Sequence, residues 1–277
     1  MPLFILKGSI NYMEVLNSNK LVAIKKDKSI QFLIILIAGS LTLLSFALLS
    51  NNKKHKSANT IEKGFAVVEL FTSEGCSSCP AADAAIAELL SKQIKDVFIL
   101  SYHVDYWNRL GWKDEFSQHQ FSERQQQYVR HLSLEGVYTP QVVVNGTTEF
   151  VGSNEAALNN AINNGTINGT QTNLKITAER KNNTAIVSYN ITGNETVLLN
   201  TAVVLPEAES KVKRGENGGK TLHHVNIVSS LKVAELKGIG ELTVAIPKQL
   251  TGKPIKIIAY TQAKQSLKVL GADEVKL

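Results

Sequence analysis

The chain has 277 residues, 43% of them hydrophobic and 19% charged, which excludes global disorder and allows one or two packed domains. Its net charge of +6 is uneven: residues 1–56 hold eight Lys/Arg and two acids, while the rest holds 22 of each. The basic balance therefore belongs to the N-terminal segment, and no nucleic-acid surface is implied.

The basic leader, residues 1–29, runs into an apolar stretch, Ile30 to Leu49, with lysines on both sides. About 20 residues at a 1.5 Å rise match a ~30 Å hydrocarbon core. A cleavable signal has a shorter apolar region, about 7–15 residues, and a small-x-small cleavage site, whereas the exit here reads "FALLSNNKK". The segment is read as a transmembrane anchor or a signal, and either places the rest outside the cytoplasm, on the periplasmic side. Met13 is an alternative start that would leave a more ordinary basic leader. Residues 50–64 read as a polar linker.

From Phe65 the pattern changes. "FAVVELF" is a continuous apolar run and reads as a buried strand. "TSEGCSSCP" is a turn, and "AADAAIAELLSK" a helix with Ala85, Ile86, Leu89 and Leu90 on one stripe. Pro80 fits only the first turn of that helix. Asp96 to Trp107 is a second buried strand, and Ser117 to Leu132 a polar helix. Val142 to Val144 is a short strand, Asn145-Gly146 a hairpin turn, and Thr147 to Val151 the return strand. Ser153 or Asn154 caps a last helix, with Glu155 in its first turn. The order predicted for residues 65–165 is β-α-β-α-β-β-α with a mixed sheet. Residues 166–173 read as a linker. Residues 174–277 contain six strand-like runs, "LKITAER", "TAIVSYNI", "TVLLNTAVVL", "ELTVAIP", "IKIIAYTQ" and "LKVLGA". They predict a mostly antiparallel β domain of small-sandwich type.

The only two cysteines are Cys76 and Cys79, placed where a strand ends and a helix begins. A thiolate there is stabilised by the unpaired N–H groups and the positive end of the helix dipole. Cys76 is expected to be the exposed attacker and Cys79, one turn deeper, the resolving thiol. A structural staple gains little from so short a loop. Structural zinc wants four ligands, and no second pair exists. A copper site of Cys76, Cys79 and His103 is chemically reasonable, although a strand histidine more often bonds the backbone.

Strand, Cys-x-x-Cys, helix and then Thr139-Pro140 entering a later strand resemble the thioredoxin superfamily. The strings "VVELFTSEGCSSCPAAD", "SYHVDYWNRLGWKDEFS", "RQQQYV", "VYTPQVVVNG" and "VKRGENGGKTLHHVNIV" resemble, more narrowly, the bacterial secreted thioredoxin-like proteins grouped as domain-of-unknown-function family 1223. The resemblance implies an α/β thioredoxin-like domain followed by the antiparallel β domain, and a cis Thr139–Pro140 bond. It also implies Cys76 as nucleophile, Cys79 as resolving thiol, Pro140 shaping the site, and Thr139 in a loop that meets an extended substrate. No Trp precedes the first cysteine, and Ser77-Ser78 separates the pair, so redox poise and partner do not carry over.

"HVDYWNRLGWKDEF" holds both tryptophans of the chain. As a loop after a strand it lies on the dithiol's edge of an open sheet, so Trp107 and Trp112 are expected to wall the substrate site. "RGENGGKTLHHVN" is Gly-rich but lacks the spacing of a phosphate loop, and its vicinal histidines face opposite sides of a strand. It is read as a contact between the two domains. The function expected is extracytoplasmic thiol–disulfide exchange with a partner protein bearing a disulfide or dithiol. The reading needs no cofactor, and the membrane is met through the N-terminal segment. The alternative is a binding module or copper-handling protein using Cys76, Cys79 and His103.

Overall fold

The computed structural model describes residues 64–168, 174–193 and 195–277. The leader and the apolar segment expected at residues 30–49 lie outside them. No helix among the described residues is long and apolar enough to cross a membrane.

Strand β1 (Ala66–Thr72) is buried along its whole length, as its continuous apolar run requires. It alternates faces. Ala66, Val68 and Leu70 share a core with Ala82, Ile86 and Leu89 of α1 (Cys79–Ser91) and with Leu158 and Ile162 of α3 (Glu155–Asn168). Val67 and Phe71 turn the other way, toward Phe121 and Tyr128 of α2 (His119–His131). β1 runs parallel to β2 (Val97–His103) and antiparallel to β3 (Gln141–Val144), which continues into β4 (Thr148–Val151).

The β3–β4 turn is Asn145-Gly146, with φ of 50° and 72°. Asn145 also ties the turn to β1: its Oδ1 accepts from the Val67 N–H at 2.8 Å, and its Nδ2 donates to the Phe65 carbonyl at 3.0 Å. A Cβ at Gly146 would overlap the Leu267 carbonyl. Gly146→Ala is therefore expected to lower stability by ~1–3 kcal/mol, combining left-handed strain with the clash. A denaturant titration checks it; an unchanged midpoint would refute the account.

The second half contains β5 (Leu174–Lys181), β6 (Thr184–Ile191), β7 (Val197–Lys211), β8 (Thr221–Leu236), β9 (Gly238–Ala245), β10 (Lys256–Gln262) and β11 (Val269–Lys276). Strands β5, β6 and β9 form a small antiparallel sheet. Its apolar face (Ile176, Val187, Tyr189, Val244) shares a core with Leu199, Ile227 and Ile257 of β7, β8 and β10.

The fold departs from the expected α/β thioredoxin-like domain with a separate β domain. Residues 65–165 do not close on themselves as a separate thioredoxin-like α/β sheet followed by an independent β sheet. One eight-stranded mixed sheet runs in the order β11-β10-β7-β8-β2-β1-β3-β4, so strands of both halves share it. The junction is β8, which runs parallel to β2 with Ser101 opposite Ile227. Ser101 Oγ donates to the Val225 carbonyl at 2.8 Å, and Asn226 Nδ2 to the Ile99 carbonyl at 3.1 Å. The physical reason is edge pairing. Strand β2 would otherwise present an unpaired buried edge, and a 16-residue strand from the second half covers it. β8 is also the strand missing from the six runs read from the sequence, because its polar "HH" and "SS" dilute the alternation.

Candidate functional site

β1 delivers the chain to a tight turn. The Cys76 N–H donates to the Ser73 carbonyl at 3.1 Å, and the Cys79 N–H to the Cys76 carbonyl at 3.2 Å. Helix α1 then starts, with Pro80 in its first turn, where the missing N–H is unneeded. Cys76 and Cys79 are joined as a disulfide, with Cα atoms 5.4 Å apart. Both are 0% exposed, whereas Ser77 and Ser78 are exposed. Cys76 is thus not the exposed attacker expected from sequence. Ser78 Oγ lies 3.3 Å from Cys76 Sγ.

The sequence-predicted neighbours do converge on this turn. The Thr139–Pro140 bond is cis, and Pro140 is buried. Trp107 Nε1 donates to Thr139 Oγ1 at 2.8 Å, and Ser78 Oγ to the Thr139 carbonyl at 3.5 Å. Trp107 Cβ lies only 3.0 Å from where a Gly75 Cβ would be, so a side chain at position 75 would press on Trp107. Trp112 Nε1 donates to Glu74 Oε2 at 2.5 Å. The two tryptophans therefore flank the dithiol turn, one through Thr139 and one through Glu74.

His103 does not join the sulfurs in a metal-ligand set. Its Nδ1 lies 2.7 Å from Asp114 Oδ2. Among the described residues no group of three or more His, Cys, Asp or Glu is arranged to hold a metal ion. Asp114 also accepts from the Glu74 and Phe116 N–H groups. Burial would raise its pKa, but His103 and those N–H groups outweigh it and lower the pKa below the ordinary aspartate value.

Three groups under the dithiol escaped the sequence reading. Glu74 and Asp83 are buried, and between them lies His224 of β8, 2% exposed. His224 Nε2 is 3.7 Å from Glu74 Oε1, and Nδ1 is 3.5 Å from Asp83 Oδ2. Its ring packs edge-on against His103, centroids 4.7 Å apart, with Phe116 alongside. Burial alone would lower the His224 pKa. The Asp83 and Glu74 carboxylates, with Asp114 beyond, prevail and raise it to about 9. His223 is exposed, so the vicinal histidines do face opposite ways. A signal for Asp83 was available: it stands four residues after Cys79, on the buried stripe of α1. Nothing local marks Glu74.

A fourth is Asn217, fully buried in the Gly-rich loop between β7 and β8. Its Nδ2 donates to the Glu74 and Cys76 carbonyls, both at 2.9 Å, and its Oδ1 accepts from Lys220 Nζ at 3.0 Å. Beside it, Glu216 Oε2 accepts from the Ser77 N–H at 3.0 Å. A cavity of about 730 Å³, lined by Leu89, Asp96, Phe98 and Asp273 among others, lies at the opposite end of α1.

Two solved structures share this architecture. The crystal structure of protein AGR_C_4864 from Agrobacterium tumefaciens is 29% identical, covers 76% of this chain and 93% of its own, and superposes with a TM-score of 0.59. HBP35 of Porphyromonas gingivalis is 16% identical, with coverage of 78% and 76% and a TM-score of 0.54, a likeness of fold alone. No curated protein matches the chain. Residues 67–262, which span β1 to β10 and include the dithiol turn, Thr139-Pro140 and the Asn217 loop, match the family model described as "Protein of unknown function (DUF1223)", and the chain belongs to that family.

Proposed function

We propose that the Cys76–Cys79 pair exchanges disulfides with a partner protein outside the cytoplasm. The observation that supports this most is a disulfide closing a two-residue gap at the N-terminus of α1, over buried ionisable groups. Such a bond restricts the unfolded chain very little, so stability does not account for it. The helix start favours a thiolate once the bond is reduced.

The exchange balances as follows. The Cys76 thiolate attacks one sulfur of the partner's disulfide, forming a mixed disulfide and releasing the other partner sulfur as a thiolate that takes a proton. Cys79, as thiolate, then attacks Cys76 Sγ, which restores the Cys76–Cys79 bond and frees the second partner thiol. Two electrons pass from this chain to the partner, and the reverse sequence passes them back. Trp107, Trp112 and Thr139 border the turn and are assigned to the partner's contact; Pro140 shapes it. The chain has no other cysteines, so exchange cannot scramble pairs within it. The lysine-flanked apolar segment supports the extracytoplasmic, membrane-attached or secreted placement, where disulfides persist.

Trapping in vivo tests the reading. A Cys79→Ala chain is expected to hold a partner through Cys76 in a bond that a reductant cleaves, and a Cys76→Ala, Cys79→Ala chain to hold none. If the single variant holds no partner and the Cys76 thiol titrates near an ordinary ~8.5, exchange is ruled out.

A further inference from the structure

A disulfide that exchanges with another protein must admit a sulfur along the S–S axis, yet both cysteines here are 0% exposed. Something must move, and the loop joining β7 to β8 is fastened to the dithiol turn. Its base is closed by Val212 N–H to the Lys220 carbonyl at 3.0 Å and Gly219 N–H to the Val212 carbonyl at 2.8 Å. Between these, Lys213 to Glu216 are exposed, and Asn217 alone is driven inward. Three bonds hold the loop to the dithiol: two from Asn217 to the Glu74 and Cys76 carbonyls, and one from the Ser77 N–H to Glu216. The Gly215 Cβ position lies 3.5 Å from Trp112 Cβ, so the loop also abuts the tryptophan segment.

These are contacts to backbone groups at and beside Cys76. Both polar atoms of the Asn217 side chain are satisfied, so the closed state is favourable. The hold is nonetheless small. Each neutral hydrogen bond contributes modestly in net terms, and Glu216 and the loop's other outer residues are solvent-exposed. A hold of that size permits opening without global unfolding.

We propose that Asn217 and Glu216 are the selectivity gate of the dithiol: closed, the 212–220 loop withholds the Cys76–Cys79 bond, and only a thiol able to displace it gains access. Deepening the exchange reading, this rests on it for the identity of the partner as a protein thiol or disulfide. It explains why a Gly-rich, charged loop from the second half of the chain reaches 141 residues back to Cys76.

Reduction rates of the Cys76–Cys79 bond in the full-length chain test it, followed by alkylation of the freed thiols, with dithiothreitol as the small reductant and glutathione as the bulkier one. Asn217→Ala is expected to accelerate glutathione about tenfold, the factor that losing two buried hydrogen bonds supports, and dithiothreitol by clearly less. Glu216→Ala, which removes one exposed acceptor, is expected to give about a threefold gain for glutathione. Rates equal to wild type in both variants overturn the gate, and so does equal acceleration of both reductants, which means general loosening. Should Asn217→Ala not fold, Glu216→Ala decides alone, since its side chain is exposed. Partner trapping by Cys79→Ala is read separately, so its failure removes the exchange reading without altering these rates.

Discussion

Arg124→Ala is expected to lower the unfolding free energy by ~3–5 kcal/mol, measured by denaturant titration, although residue 124 lies away from the dithiol. Arg124 is 5% exposed and Glu69 fully buried, so one charge left alone would have no solvent. The guanidinium makes a two-pronged contact with the Glu69 carboxylate: Nε donates to Oε2 at 2.5 Å and Nη2 to Oε1 at 3.0 Å. Its remaining N–H groups reach Asn200 Oδ1, the Tyr128 hydroxyl and Gln262 Oε1. Three tyrosine rings surround it, with centroids 5.2–5.7 Å from the guanidinium carbon. Burial raises the pKa of Tyr102, Tyr128 and Tyr260, so these hydroxyls stay neutral donors. The network joins β1, β2 and α2 to β7 and β10, which makes it the polar counterpart of the shared sheet. Glu69→Gln should cost less than Arg124→Ala, because the amide keeps an acceptor. Arg124→Met combined with Glu69→Leu should recover most of the loss, since neither charge then remains buried. Additive losses in the double variant would show that packing, and not the orphaned charge, is responsible.

The second large effect is a pH dependence seated at His224. Its neighbours are Glu74 from the dithiol turn, Asp83 from α1, His103 at the end of β2 and Asp114 in the segment that follows it. Its pKa rises from an ordinary 6.5 to about 9 in the folded chain. A group that holds its proton more tightly when folded contributes fully below the unfolded pKa and loses that contribution as pH climbs through the folded one. Stability should therefore fall between about pH 6.5 and 9, by an amount on the order of 2–3 kcal/mol. Denaturation curves across that range check it, and His224→Gln should flatten them at the cost of lower stability at pH 6. Wild-type curves that do not decline toward pH 9 would mean that the imidazole is neutral between its carboxylates. Asp114 works in the opposite window: its lowered pKa adds stability above the ordinary aspartate pKa of 3.8, lost as pH falls through the lowered value.

Both effects show what kind of information local sequence carries. Strand β1 was legible because seven consecutive residues are buried, and the β3–β4 turn because Asn145-Gly146 demands positive φ at both positions. The meeting of Thr139 with Cys76 and Cys79 was legible through motif resemblance, and that of Trp107 and Trp112 through their place in a loop after a strand on the dithiol's edge; all of them gather around one turn. The charge under the dithiol was not. Nothing local marks Glu74, and His224 reads as one of a histidine pair, until β8 brings it against Glu74 and Asp83.

Chain-local chemistry by itself determined the dithiol at a helix start, the placement of α1, α2 and α3, and the antiparallel character of β5, β6, β9, β10 and β11, because those depend on neighbours a few residues away. The tertiary structure alone decided that β8 fills the edge of β2, that one sheet serves both halves, and that Asn217 bonds the Cys76 carbonyl. Parallel pairing and backbone-to-side-chain contacts across more than a hundred residues leave no periodic trace in sequence; they arise when buried edges and carbonyls, with no water to satisfy them, are met by whatever strand or loop the fold brings alongside.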